Sequence, residues 1–396
     1  MRDVIVVVLG WNYSTSLGVV RSLGRAGYHV ELFYIAKKNG DSAITASSKY
    51  LKRTIEHIGR DDEAIIAILQ QEYGHFDVPC VLVPTDDYTS SLLDRYYDRL
   101  TPGFRIPHIG KGRQGAITHL MNKSVQATLA QDSGLKTIGY HEIFISEDEN
   151  IVLPEGIRYP CFVKPLVSLD GRKTEMKKCD SEEQLRTHIY WMKERKNNRK
   201  IIVQDFLDIQ EEFSISGVCL DQTVLIPALL KRIHVGRHER GVTIVGELVE
   251  ISTELDFQEK IELFLKSLNY TGLFCMDLIK TRDAVYFSEI NFRSAGSLYG
   301  YVRAGANLPD ILVSVLIGKT RDLSVSVKMG TRFFYDKVGW EDLMHGYCTL
   351  KDFRRYMRES DFSLMKDDMD PTPGRLLYRK LIGRYWMNKV RTFIKR

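Results

Sequence analysis

Apolar positions along the chain follow two rhythms. VIVVVLG (4–10) is an unbroken β-branched run, as a strand buried on both faces requires. NYSTSLG follows, then VVRSLGRAG with helical spacing, then the strand-like YHVELFY. This strand–turn–helix–strand order predicts a parallel sheet. DDEAIIAILQQEYG reads as a further helix and PCVLVPTDD as a further strand, leaving Asp86 and Asp87 at the strand's C-terminal edge, where open α/β sheets collect ligands. The glycine turn after the first strand lacks G-x-G-x-x-G, which argues against a nicotinamide site there. Asn12, Tyr13, Ser14 and Ser16 of that turn, with Asp86 and Asp87, are candidates for holding an amino-acid-like substrate.

The pattern changes at TPGFRIPHIGKGRQG (101–115), and a domain boundary is expected near residue 110. Beyond it come a helix (122–134) and two short strands, YPCFVKPL and KIIVQDFL, around a charged helix (181–196). EFSISGVCL, TVLIPALLKRI and GVTIVGELVEI read as strands. A helix (256–269), a hairpin (272–292) and a last apolar helix near NLPDILVSVLIGK follow. Three regions are therefore expected: 1–110, 111–325 with a smaller lobe at about 135–205, and 326–396.

Composition narrows the function. The 396 residues are 44% hydrophobic and 27% charged, which suits ordinary globular domains. The apolar runs are too short for a membrane span, and Met1-Arg2-Asp3 leads straight into the first strand, so no signal peptide is expected. Six scattered cysteines without a C-x-x-C suit neither a disulfide framework nor zinc and fit a reducing cytoplasm. The net charge is +5, but from Pro371 onward the chain carries eight Lys and Arg and no Asp or Glu. Residues 1–370 are thus net −3, and the body is not expected to bind nucleic acid.

Three segments carry candidate chemistry. In GLFCMDLIKTRDAVYFSEINFRSAGS (272–297), residues two apart on a strand share a face. Glu289, Asn291 and Arg293 then project together, and Asp277 lies beside them on the partner strand. Two carboxylates and an amide oxygen suit Mg²⁺, and Arg293 adds a cation for phosphate or a developing oxyanion. The alternative is a solvated polar face. Lys164 stands inside an apolar strand, an unusual place for a lysine, and the following VSLDGRKTEM could fold over phosphates through backbone N–H groups and Ser168 or Lys173, or be a plain loop. In IIVQDFLDIQEEFSISG, backbone groups at 205–207 are placed to read an adenine edge and a nearby carboxylate to hold a ribose; an acidic turn between strands is the plain alternative.

Taken in order, these segments resemble the ATP-grasp superfamily of the carboxylate–amine ligase type, whose members include biotin carboxylase, carbamoyl phosphate synthetase and D-aspartate ligase. The resemblance rests on NK at Asn122-Lys123, FVKP around Lys164, VQDFL with EEF, and Asp277 followed by E-I-N-F-R at 289–293. It implies an α/β N-terminal parallel-sheet (Rossmann-like, pre-ATP-grasp) domain, then an α+β ATP-grasp domain, then a C-terminal basic helical tail. It implies ATP bound through Lys123, Lys164, Gln204, Phe206, Leu207 and Glu212. Asp277, Glu289 and Asn291 would hold Mg²⁺ or Mn²⁺, and Arg293 and Lys231 would serve the transferred phosphate or acyl phosphate. The pattern departs from the family in Asn122 for Asp, Gln204 for Glu and a glycine loop reduced to SLDG. The activity implied is ADP-forming ligation of a small carboxylate to an amine. A bicarbonate-activating carboligase and a non-catalytic nucleotide-binding protein are the alternatives.

Residues 232–242 concentrate Arg232, His234, Arg237, His238 and Arg240, which either grip an acidic substrate group or rim the site. The segment 376–396 is read as a basic amphipathic helix with Leu377, Tyr378, Leu381, Ile382, Tyr385, Trp386, Val390, Phe393 and Ile394 along one broad face. It either lies on an anionic membrane surface, suiting a cytoplasmic enzyme of cell-envelope precursors at the inner face, or packs on the body. A homodimer is compatible with either.

Overall fold

The computed structural model describes residues 4–74, 78–146, 151–169, 175–194, 199–238, 241–251, 258–319 and 322–394. Three sheets organise them. The first is parallel and five-stranded, in the order Leu51–Ile58, His29–Ala36, Ile5–Gly10, Cys80–Pro84, Phe104–Arg105. Val6, Val7, Val8 and Leu9 are fully buried because apolar side chains cover both faces of the central strand. The edge strand Leu51–Ile58 (LKRTIEHI) carries no strand signal in sequence because five of its eight residues are polar and they do not alternate with the apolar ones.

The second sheet is antiparallel, in the order Tyr140–Ile145, Arg199–Asp205, Cys161–Pro165, Lys177–Cys179. The helix Glu182–Lys193 covers it, and Leu185, Ile189 and Met192 join Ile143, Val163, Ile201 and Val203 in a core separate from the others. The third sheet runs Val285–Asn291, Tyr270–Lys280, Glu211–Leu220, Leu229–Val235, Thr243–Val249, Arg332–Phe334, Phe362–Ser363. Thr223–Leu225 and His108–Ile109 attach to its middle strands. The expected division at residue 325 therefore runs through a sheet: Arg332–Phe334 and Phe362–Ser363 extend it. Both strands are too short to show a period.

Several polar residues of the first turn serve the fold. Asn12 caps the helix Tyr13–Arg25 by accepting from Ser14 N, and Ser14 Oγ bonds the Tyr335 hydroxyl. Ser16 bonds Thr85, and Asp86 caps the helix Asp87–Arg95 while accepting from Trp11 N. Burial pushes the Asp86 carboxyl up to about 6, against those backbone N–H donors. Gly10 ends the first strand here because a Cβ would stand 1.9 Å from Thr85 Oγ1. These residues are spent on caps, which leaves Asp87 as the member of the expected substrate set that borders the cavity described below.

The C-terminal segment is tied down by one buried cation. Arg21 is fully buried, bonds Asp370 Oδ2 at 3.0 Å and donates to the carbonyls of Leu364, Met365 and Asp370. Replacing it leaves the buried Asp370 carboxylate with Ser48 Oγ and Lys49 N but without its cation, and takes a donor from three carbonyls. Arg21→Met is expected to cost about 3–5 kcal/mol in denaturant unfolding, whereas Arg99→Ala, at an exposed ion pair with Glu63, should cost at most about 1 kcal/mol. Equal small losses for both would show that the buried network holds nothing together.

Candidate functional site

The site begins with strand alternation in Tyr270–Lys280. Phe274, Met276 and Leu278 enter the apolar core beneath the third sheet, so Cys275 and Asp277 face the other way. The partner strand Val285–Asn291 pairs Asp277 with Glu289 and Cys275 with Asn291. A strict period of two would put Phe287 on the face of Glu289. Instead the register shifts between Asp277 and Leu278, and Leu278 pairs with Phe287. This bulge sends Phe287 into the core and leaves Glu289 and Asn291 beside Asp277. Ile290 and Phe292 are core residues, so Arg293 also emerges on the polar face. The turn at 281–284 closes through Thr281, which accepts from Asp283 N and Ala284 N.

The same face continues across the sheet. Ser214 pairs with Asp277, and Phe213 with Lys231. Glu212, Ser214 and Arg232 consequently share the face of Asp277, while Lys231 shares that of Phe213 and the core. Arg232 donates to Asp277 Oδ1 at 2.6 Å and lies 3.5 Å from Glu212 Oε2. Lys231 instead pairs with Glu211 at 2.6 Å, and Lys280 joins the same carboxylate. The expected phosphate-facing role of Lys231 is thus corrected: Arg232, one residue on, is the member of this pair that borders the cavity, a choice made by strand pairing.

Two lysines approach from outside the sheet. Asn122 caps the helix Lys123–Asp132, and Lys123 N bonds Leu166 O, drawing the helix start against the Lys164 strand. Lys123 Nζ donates to Ser168 Oγ at 3.1 Å and stands 3.8 Å from Glu289 Oε2. On Cys161–Pro165, Cys161 and Val163 fill the smaller core, so Phe162 and Lys164 face away from it. Burial pushes the Lys164 ammonium down, against the pull of Glu289, Asp277 and Glu212.

A cavity of about 310 Å³ lies between the hairpin and Lys123, and Lys164 and Glu212 are not among the residues bordering it. Asp277, Glu289, Asn291, Arg232 and Arg293 line one side, and Lys123, Ser168 and Met176 another. The N-terminal sheet contributes Asp87, which pairs with Arg293 Nε at 3.1 Å. Phe333, Tyr335 and Leu364 form an apolar end wall from the C-terminal segment, for which no local sequence signal exists. Burial raises the Glu289 carboxyl, but Lys123, Lys164 and Arg293 outweigh it and hold Glu289 below the usual carboxylate range. Burial holds Asp277 above that range, with Glu289 adding to it and Arg232 opposing. Asp277, Glu289 and Asn291 supply the hard oxygens that a small divalent cation takes, so this donor set fits Mg²⁺ or Mn²⁺. Arg232 is the group such a cation would displace from Asp277 or share it with, and its Nε is buried without a hydrogen-bond partner.

The expected nucleotide hinge lies farther off. Gln204 is buried and its register beside Phe162 puts it on the face of Lys164. Gln204, Phe206 and Leu207 are not among the residues bordering the cavity. Asp205 N and Phe206 N are committed to the carbonyls of Gly139 and Pro160, which removes two of the N–H groups expected at the adenine edge. Of the basic loop, Arg237 N and His238 N bind Asp342, and His234 reaches Glu359. Arg240 and the loop residues 170–174, including Lys173, lie outside the described residues.

Comparison with known proteins bears on this arrangement. Residues 146–297 match the ATP-grasp domain family. The chain is 28% identical over 239 residues to the formate-dependent phosphoribosylglycinamide formyltransferase of Bacillus subtilis (strain 168), covering 59% of this chain and 58% of the relative. It is 26% identical over 202 residues to the carbamoyl phosphate synthase large chain of Lachnoclostridium phytofermentans, covering 49% of this chain and 18% of that one. Less than two thirds of either relative is spanned. Among solved structures, an L-amino acid ligase from Bacillus licheniformis superposes with a TM-score of 0.63 at 15% identity, covering 81% of this chain and 77% of the ligase. N5-carboxyaminoimidazole synthetase from Staphylococcus aureus gives 0.60 at 15%, covering 83% and 80%. At such identity the structural likeness is one of fold.

Glu289→Gln and Asp277→Asn should each weaken Mg²⁺-dependent binding of ADP at least about tenfold in calorimetry, through loss of a charged ligand. Lys231→Ala, on the other face, should leave it within about twofold. Equal weakening by all three variants would contradict the face assignment.

Proposed function

The chain belongs to the ATP-grasp superfamily, and from that premise we propose that it is an ADP-forming ligase that joins a small carboxylate to an amine. The observation that carries this reading is the juxtaposition of Lys123 with Glu289 across the cavity, with Asp277, Asn291 and Arg293 on the same wall. Lysines from one side and hard oxygens from the other suit a triphosphate held by both.

In this reading Lys123 and Lys164 hold the phosphates of ATP, and Glu212 faces the ribose. Asp277, Glu289 and Asn291 would hold Mg²⁺ or Mn²⁺, which neutralises phosphate charge when bound. Arg232 and Arg293 orient the substrate carboxylate. A carboxylate oxygen attacks the γ-phosphorus, the β–γ bridging bond breaks, and ADP leaves with that electron pair. The acyl phosphate meets the amine, whose nitrogen forms the new bond to carbonyl carbon as phosphate departs and a proton is lost. No protein nucleophile is needed; catalysis is positioning and charge neutralisation. Arg293, held by Asp87, would stabilise the oxyanion of the second step. The lobe of residues 135–205 would cover the phosphates, which keeps water from the acyl phosphate.

The test is ADP release across a panel of amino acids, simple carboxylates and bicarbonate, with and without amines. Release that needs both a carboxylate and an amine, and is lost in Glu289→Ala with an unchanged melting temperature, is the expected result. Release driven by bicarbonate alone would favour a carboligase. Nucleotide binding without release under any pair would remove the ligase reading.

A further inference from the structure

The helix Pro371–Ile394 packs against Asp336–Met344 and against the short helix Ala43–Ala46, and leaves the rest of its surface to solvent. Leu377 and Leu381 are buried with Val338, Trp340 and Phe353, and Tyr378 and Tyr385 lie against Trp340. Arg384 fastens this side to Glu341 at 2.7 Å. The sequence expectation that all the helix's apolar residues share one face is corrected here. Ile382 is 42% exposed, Trp386 63% and Met387 55%, and Leu376 is exposed as well. Arg375, Arg379 and Lys380 are exposed among them. At 100° per residue, Arg375, Arg379, Ile382, Trp386 and Met387 fall on the half of the helix opposite Leu377 and Leu381, while Leu376 and Lys380 border a cleft beside Tyr13, Asp41 and Ile44.

This outward face interleaves large apolar side chains with cations, and residues 371–396 contain no carboxylate side chain. We propose that it docks on an anionic lipid surface, the apolar side chains entering the headgroup boundary and the cations meeting lipid phosphates. Three features select this occupant. A second copy meeting it about a twofold axis would bring cations against cations. A purely electrostatic polyanion would leave Ile382, Trp386 and Met387 uncovered, whereas a bilayer interface takes both groups and Trp in particular. The rest of the chain is net −3, so an anionic surface repels the body and attracts the helix, which sets one orientation. Among the described residues no helix is long and apolar enough to cross a membrane, so the contact is interfacial.

The experiment is co-sedimentation of the whole chain with vesicles of phosphatidylcholine alone or with phosphatidylglycerol at roughly 7:3. Binding should be at least about tenfold tighter to the anionic vesicles and fall at least about tenfold between about 0.1 and 0.5 M salt. Ile382→Glu with Trp386→Glu should abolish it without moving the melting temperature, because both side chains are exposed. Brominated lipid should quench fluorescence in the unaltered chain, and Trp386→Phe should remove that quenching, a readout that does not depend on the double variant folding. Absence of binding to the anionic vesicles, or equal binding by the double variant, overturns the proposal. So does a lipid-free dimer that the double variant dissociates, which would assign the face to self-association.

Discussion

A charge removed from water must find its opposite, and the centre of this molecule is arranged around that constraint. Arg232 is set between Asp277 and Glu212, Arg293 against Asp87, and Lys123 against Glu289. Lys164 adds a fourth cation within reach of the same carboxylates. Four positive and four negative groups balance without any ligand. A divalent cation and a polyphosphate can enter such a network by exchanging partners, where an unpaired group would first need compensation. Arg232 shows the pairing most clearly, because it holds an oxygen of the Asp277 carboxylate.

Three parts of the chain converge on this network. Asp87 comes from the edge of the parallel sheet, Lys164 from the smaller antiparallel sheet, and Asp277 with Glu289 from the large one. The smaller sheet has its own apolar core, distinct from the one beneath the hairpin. The hairpin is anchored by core residues alternating with every acidic group. A lobe with an independent core facing a fixed carboxylate wall is a suitable frame for gripping a phosphate chain from two sides.

The C-terminal segment links site and surface. Its short strand Arg332–Phe334 extends the large sheet, and Phe333, Tyr335 and Leu364 close the cavity. Arg21 holds the carbonyls of Leu364 and Met365 and the side chain of Asp370, so the same contacts that fix the cavity's end wall also fix the start of the last helix.

The buried parallel strands, the lysine inside an apolar strand and the hairpin with its Asp, Glu, Asn and Arg were legible along the chain, because burial imposes a period that local sequence must obey. The resemblance of those segments, in order, also pointed to the superfamily. Legibility ended where position depends on partners distant in sequence. Alternation alone cannot say which of Lys231 and Arg232 faces the cavity until the strand is paired, nor that a bulge turns Phe287 inward beside Glu289. Asn12, Ser14 and Asp86 read equally well as ligands or caps, and only the packed helices assigned them to caps. The last helix carries apolar residues around much of its circumference, so its sequence names no inner face. Contact with Val338, Trp340 and Phe353 buried Leu377 and Leu381 and left Ile382 and Trp386 to solvent, since a helix buries only the part of its circumference that meets a neighbour.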